Sequence, residues 1–260
     1  MSSSKESFSK TLIFVFIICL VCAALVSISA VGLKPLQQAN KLLDKQTKIL
    51  EASGLLEKAG TNIVSTYNQF VVAKMIDLDS GAIIEDASVL EIDMFDERSA
   101  ARDVNNSSKL VNDVAGINRR ADRSVVYLVN DEQGQLMTLV FPIIGSGLWD
   151  LMYGFVGLAP DLNTVRSVIY SDLKETPGLG AEVLNPKWKN LWPGKEIYDD
   201  SNNVAIKIVK GGAKQGDVYG VDALSGATLT SNGVENTLHF WFGEQGFGPF
   251  IAKYRNGGLQ

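Results

Sequence analysis

The sequence predicts an α+β fold, with a single N-terminal transmembrane helix ahead of a soluble domain built on an antiparallel sheet with flanking helices. Three observations predict it. A run of 23 uncharged residues stands between Lys10 and Lys34. Several apolar stretches rich in β-branched residues are separated by glycine-bearing turns, and the helical patterns precede and follow those stretches instead of alternating with them.

The uncharged run, TLIFVFIICLVCAALVSISAVGL from Thr11 to Leu33, is long enough for a bilayer, which takes about 20 apolar residues as a helix. A secretory signal core is typically about 7–15 residues long, so an uncleaved anchor is the better reading than a signal peptide cut near Ser29 or Ala30. The remaining chain has no second apolar run of that length. The domain plan is a short tail over 1–10, a transmembrane helix over 11–33, amphipathic connecting helices over 34–60 and a soluble domain over 61–260. Pro35 should break the helix after Lys34. Leu36, Ala39, Leu42, Leu43, Ile49 and Leu50 then recur near helical spacing, and Gly54 and Gly60 act as stops.

Residues 86–124 are the most polar part of the body, including NRRADR from Asn118 to Arg123 and a glycosylation-like triplet at Asn106. No function attaches to them. Ser124–Val129 and Gln135–Ile143 read as two strands joined by a turn at Gly134, Gly145–Ala159 as a further strand or two, and Val204–Lys210 as a half-buried strand. A helix is expected from Asn232 to Phe242, with Asn232 as N-cap and Glu235 three residues later in a near capping box.

Residues 1–50 hold six lysines against Glu6 and Asp44, so of the 24 basic and 29 acidic residues 18 and 27 remain for an acidic body. Such a body is a poor nucleic-acid binder. Lysine is denser just after the apolar run than before it, which by local count alone puts the body in the cytoplasm; the rule weakens for large translocated domains. Cys19 and Cys22, the only cysteines, sit three apart on one face of the apolar run, where small packing residues are the first reading and contact with a partner's iron–sulfur cluster the second. The rest of the chain has no cysteine and one histidine, His239, so a thiol nucleophile, a zinc site and a hydrolytic triad lose their usual parts. Neither a P-loop nor a Rossmann fingerprint is present. Hard chemistry would fall to a cofactor.

The stretch DALSGATLTSNG places Ser225, Thr228, Thr230 and Ser231 around Gly226 and Ala227 at a helix entrance, a natural anion site, or equally an ordinary Ser/Thr-rich cap. DALSGAT, Asp222 to Thr228, resembles the flavinylation motif of the FMN-binding domain family, in which a flavin transferase joins the FMN phosphate to the last threonine. The resemblance implies a covalent FMN on Thr228 beside Ser225, Gly226 and Ala227, with Asp222 at the position the transferase recognises. GSGLWDLMYGFVGLAPD, KETPGLGAEVLNPKWKNLWPGK and FGEQGFGPF, with the single span, extend the likeness to the C-subunit family of sodium-translocating NADH:quinone reductases. The G-type flavin component of the Rnf complex shares the anchor, the ETPGLG-like segment and the SGAT motif and is the alternative; a membrane-anchored binding or sensory domain with no flavin is the reading outside that class.

Glu175-Thr176-Pro177-Gly178-Leu179-Gly180, where Gly178 and Gly180 permit positive φ, reads from its residues as a shaped loop or a plain tight turn. By resemblance Glu175, Thr176, Gly178 and Leu179 line the flavin pocket with Trp149 nearby, while Trp188 and Trp192 read as core. The family implies single-electron relay between partner subunits of an inner-membrane complex, on the way from NADH to quinone. It also implies a periplasmic domain, against the lysine count, and no activity for the chain alone.

Overall fold

The computed structural model describes residues 8–255. The helices are α1 (Phe8–Ser53), α2 (Leu56–Ala59), α3 (Ile63–Phe70), α4 (Val89–Met94), α5 (Glu97–Arg102), α6 (Pro186–Lys189), α7 (Thr228–Trp241) and α8 (Gly248–Tyr254). The strands are β1 (Val71–Asp77), β2 (Ser107–Lys109), β3 (Arg119–Ala121), β4 (Arg123–Asn130), β5 (Leu136–Ser146), β6 (Leu151–Leu158), β7 (Val165–Asp172), β8 (Lys207–Val209) and β9 (Gly220–Asp222). Contacts divide the chain into two units, one ending at Asp44 and one beginning at Lys45.

The first unit, as described, is α1 as far as Asp44, with the side chains of its apolar run exposed; α1 is the one described helix long and apolar enough to cross a membrane. Most of the expected tail, residues 1–7, lies outside the described residues. The break expected at Pro35 does not occur, and α1 continues through it to Ser53. A proline at 35 removes the amide that would bond the Val31 carbonyl, but the turns on either side are rich in leucine, alanine, glutamine and lysine, and helix propagation past one lost bond is cheaper than a new nucleus. Gly54 does end α1, at φ 77°.

The second unit is built on a five-stranded antiparallel sheet in the order β1-β4-β5-β6-β7. Both faces are covered. On one lie Ile49, Leu50 and Ala52 from the end of α1, with Tyr67, Phe70 and Ile92, against Val125, Tyr127, Val129, Val140 and Phe155. On the other, α7, α8 and residues 183–206 pack on Val126, Leu139, Phe141, Ile143 and Val156, with Trp188 and Trp192 edge to face at 5.2 Å in the core. Burial on both sides explains why LMTLVFPI is an almost continuous apolar run and not an alternating one. β1 and β7, the sheet's edges, are additions to the sequence reading. The expected strand at Val204–Lys210 shrinks to β8, three residues paired in parallel with β9.

The β4–β5 ladder stops at Tyr127–Val140, although β5 continues against β6 to Ser146. Pro142 has no amide to give a second neighbour, so β5 pairs on one side only from there on. β4 stays with β1 down to Arg123–Asp77, and the sheet splits.

α7 crosses β5 closely enough that a Cβ on Gly233 would stand 2.1 Å from the Ser146 carbonyl oxygen. Gly233→Ala gains about 1 kcal/mol of helix propensity but overpacks against backbone at a cost of about 1–3 kcal/mol. The variant is expected to melt several degrees lower by thermal unfolding. At the α1 end, the Glu51 carboxyl is raised by burial, yet Lys189, at 2.6 Å, and Lys48, at 3.0 Å, hold it below the ordinary glutamate range on balance. A depressed folded pKa gives stability that is present above the unfolded value and lost as pH falls through the folded one. Lys189→Met is therefore expected to lower the melting temperature at neutral pH and to leave it closer to wild type at pH 3.

Candidate functional site

Three segments meet at one buried carboxylate. β6 is preceded by the loop Gly147–Asp150, β7 is followed by Lys174–Gly180, and β9 leads through 223–227 into α7. Glu175 is 6% exposed. Its Oε1 accepts the backbone amides of Leu148 at 2.8 Å and Trp149 at 3.1 Å, and its Oε2 accepts the Thr230 hydroxyl. The space for it is made by glycine: a Cβ on Gly147 would lie 2.4 Å from Oε1, and one on Gly180 2.2 Å from Oε2. The Trp149 indole then donates to Thr176 Oγ1 at 3.1 Å, and Lys174 pairs with Asp150 outside, holding that carboxyl below its usual range.

Thr176-Pro177-Gly178-Leu179 is a type II turn, with the Leu179 amide donating to the Thr176 carbonyl at 3.1 Å and Gly178 at φ 76°. The turn exposes Leu179. A Cβ on Gly226, itself at φ 72°, would stand 3.0 Å from Leu179 Cδ2, so the SGAT and ETPGLG segments are in contact. Trp149, Leu179 and Leu229 are 67%, 43% and 61% exposed, an apolar platform open to solvent around the start of α7.

The helix begins four residues before the expected position, at Thr228 and not after Asn232. Asn232 is thus inside the helix and the expected capping box does not form: the Glu235 carboxylate instead accepts the Ile208 amide at 2.5 Å, tying α7 to β8. The N-cap is Ala227, which provides no side-chain cap. The Thr228, Leu229 and Thr230 amides have no carbonyl partner within the helix, and three such amides at a bare N-terminus form a ready site for an anion. The hydroxyls divide their work. Ser231 is buried and accepts the Leu224 amide at 3.0 Å, Thr230 is buried on Glu175, and Ser225 and Thr228 are exposed.

Of the site residues expected from sequence, Trp149, Glu175, Thr176, Leu179 and Gly226 converge, with Ser225, Ala227 and Thr228 on the adjoining helix entrance. Gly178 shapes the turn without touching the platform. Asp222 stands at the end of β9 with its carboxylate accepting the Ala213 amide at 2.7 Å and its carbonyl accepting the Trp188 indole at 2.9 Å. Cys19 and Cys22 are exposed on α1. His239 sits in α7 with Nε2 2.7 Å from the Ile206 carbonyl, a satisfied packing histidine. Sequence reasoning missed Gly147, Leu148 and Leu229, and took Gly180 as a turn glycine, whereas it has no positive φ and makes room for the Glu175 carboxylate.

Residues 147–243 match the family model for an FMN-binding domain, a span that runs from the Gly147 loop to the end of α7. The chain is 46% identical to the C subunit of the Na(+)-translocating NADH-quinone reductase of Vibrio alginolyticus, over all of both chains. It is likewise 46% identical to the corresponding protein of Yersinia pestis, over 99% of this chain and 97% of that one. The crystal structure of Shewanella oneidensis NqrC matches with a TM-score of 0.80 and 38% identity, over 84% of this chain and all of that one. The chain belongs to the NqrC family, the C subunits of Na(+)-translocating NADH-quinone reductases.

Two neighbouring threonines are expected to separate by stability. Thr230→Val leaves a buried carboxylate oxygen without its donor, a loss of about 1–3 kcal/mol, whereas Thr228→Val on the exposed first turn should fall within about 0.5 kcal/mol of wild type. Thermal unfolding of the two variants side by side checks the contrast.

Proposed function

We propose that this chain is the membrane-anchored flavin subunit of a Na(+)-translocating NADH-quinone reductase, holding FMN by a phosphoester bond to Thr228 and relaying single electrons between partner subunits. The observation that carries the reading is the helix entrance. Thr228 is an exposed hydroxyl on the first residue of an uncapped helix, set beside the exposed apolar platform of Trp149, Leu179 and Leu229. When bound, FMN supplies one-electron chemistry between the donor and acceptor centres of the complex.

The chain's own residues supply placement. The amides of Thr228, Leu229 and Thr230 and the dipole of α7 would stabilise the phosphodiester anion, and Gly226 and Ala227 leave room for its approach. Leu179, Thr176 and Trp149 would hold the ring, and Glu175 keeps them in register with α7. Thr230 is a poor acceptor beside Thr228, because its hydroxyl is buried and already given to Glu175. Electron relay needs few acid–base groups, which fits a chain whose one histidine is engaged in packing.

Maturation would need a flavin transferase that reads Asp222 and the SGAT loop; engagement of the Asp222 carboxylate by Ala213 supports a role in shaping that loop as well. α1 anchors the domain in the bacterial inner membrane, with the domain in the periplasm in spite of the local lysine count. The other subunits of the complex supply NADH oxidation, quinone reduction and sodium passage, so the isolated chain should lack NADH:quinone activity. Full-length identity to the Vibrio alginolyticus protein favours the sodium pump over the Rnf relative.

Co-expression with a flavin transferase, digestion and mass spectrometry test the bond. The peptide containing Thr228 is expected to gain the mass of FMN less one water, and Thr228→Ala to remove in-gel flavin fluorescence while the protein stays folded. An unmodified Thr228 peptide, or fluorescence lost only in Thr230→Ala, would overturn the assignment.

A further inference from the structure

The split in the sheet below Tyr127–Val140 opens a cavity of about 360 Å³, whose lining includes none of the platform residues. It lies near Trp241 at the far end of α7, about 20 Å along the helix from Thr228. Five of the chain's seven arginines line it: Arg98 and Arg102 from α5, Arg119 and Arg120 from β3, and Arg123 from β4. One carboxylate, Glu97, lines it with them. In a body with more acidic than basic residues, this is a concentrated positive site.

The arginines are not equally engaged. Arg98 pairs with Asp172 at 2.6 Å and stacks on the Tyr153 ring at 3.9 Å, Arg123 reaches Glu91 at 3.4 Å, and Arg120 holds Asp79 and the Gln245 carbonyl. Arg119 bonds only Ser107 and the Val104 carbonyl. Among the described residues Arg102 has no acidic partner within ion-pair distance. Three buried polar atoms on the cavity lack partners: the donors Arg120 Nε, on a residue 4% exposed, and Ser124 Oγ, on a residue 1% exposed, and Glu97 Oε1, on a carboxyl that burial pushes toward its neutral, donating form. A buried donor left unpaired costs about 1–3 kcal/mol, so two of them on one wall mark a place where an acceptor belongs. The remaining wall is apolar, with Ile117, Ile144, Leu151 and the Trp241 ring.

We propose that this cavity binds an amphipathic organic anion, its carboxylate or phosphate head held by Arg102, Arg120 Nε and Ser124 and its apolar body seated against Ile144, Leu151 and Trp241. Guanidinium groups suit such heads by planar, bidentate donation, and a cavity of this size and apolarity suits a body of two fused rings or a short chain. The head chemistry is common to free organic acids and to anionic lipids. The site is independent of the flavin reading, because none of its residues belongs to the platform.

Calorimetry on the full chain in nanodiscs, with protein-free nanodiscs as blank, tests it with 2-naphthoate for a free acid and dihexanoyl phosphatidate for a lipid; the tighter of the two identifies the source. At least one is expected to saturate at one per chain, with 2-naphthol and inorganic phosphate each at least about tenfold weaker. Arg102→Gln, an exposed change that leaves the fold alone, should weaken binding about tenfold or more, and Ile144→Trp should fill the cavity and abolish it. Trp149→Ala on the platform should leave it unchanged. No binding by either anion, equal binding of 2-naphthol or of inorganic phosphate, indifference to Arg102→Gln, or loss in Trp149→Ala would overturn the proposal.

Discussion

The site depends on one buried carboxylate. Among the described residues Glu175 is the only side chain that bonds both the Gly147–Asp150 loop and α7, and it stands at the head of the Thr176–Leu179 turn. Without it three loops would each pay their own ordering entropy, roughly 1–2 kcal/mol per residue fixed. With it they order together, since each bond made leaves the next with less freedom to remove. A charged acceptor is well matched to two amides and a hydroxyl, all donors, and hydrogen bonds to charged groups are the stronger kind. The flanking glycines follow from the same fact, because any side chain at 147 or 180 would occupy the volume of the carboxylate.

The same economy explains the hydroxyl-rich entrance to α7. A helix start without an N-cap side chain is normally weak, and the Thr-Leu-Thr-Ser opening has only modest helix propensity. Here tertiary bonds do the work of the cap: Ser231 fixes the incoming Leu224 amide, Thr230 fixes Glu175, and Glu235 fixes β8. Because those bonds run from inside the helix to other segments, the first three amides of α7 remain free. An uncapped N-terminus is thus compatible with a stable helix, and the anion site is a by-product of where the stabilising bonds are made.

Much of this was legible in the sequence, and the illegible parts share a cause. The apolar run of α1, the central strands β4, β5 and β6, the tryptophan pair in the core and the contact between the ETPGLG and SGAT segments follow from local composition or from the family resemblance. The edge strands did not announce themselves, since Lys74 and Asp77 in β1 and Arg166 and Asp172 in β7 dilute the β signal where one side of a strand has no neighbour. The start of α7 was placed four residues late because Asn232 and Glu235 make a good local cap, while the partners that fix the true start, Glu175 and Leu224, are chosen by the fold. Pro35 misled in the opposite direction, a strong local breaker overruled by a long helix around it. In each case the signal of the segment was outweighed by what surrounds it: neighbours in the fold for the sheet edges and α7, the long helix itself for Pro35.

An open platform sets a limit on how its occupant is held. Ligand pockets usually bury about 70–90% of a bound molecule, and affinity follows from that burial. The platform around Thr228 is shallow: its main apolar side chains are themselves about half or more exposed, so a ring laid on it would keep one face in water and gain little from desolvation. Exposure is nonetheless what electron exchange with neighbouring subunits requires. The bond proposed at Thr228 would remove the conflict, since tethering replaces affinity with a high effective concentration and asks nothing more of the burial. On this reasoning the proposed covalent link and the shallow site would be one design, with Glu175 preserving the geometry that desolvation is too weak to enforce.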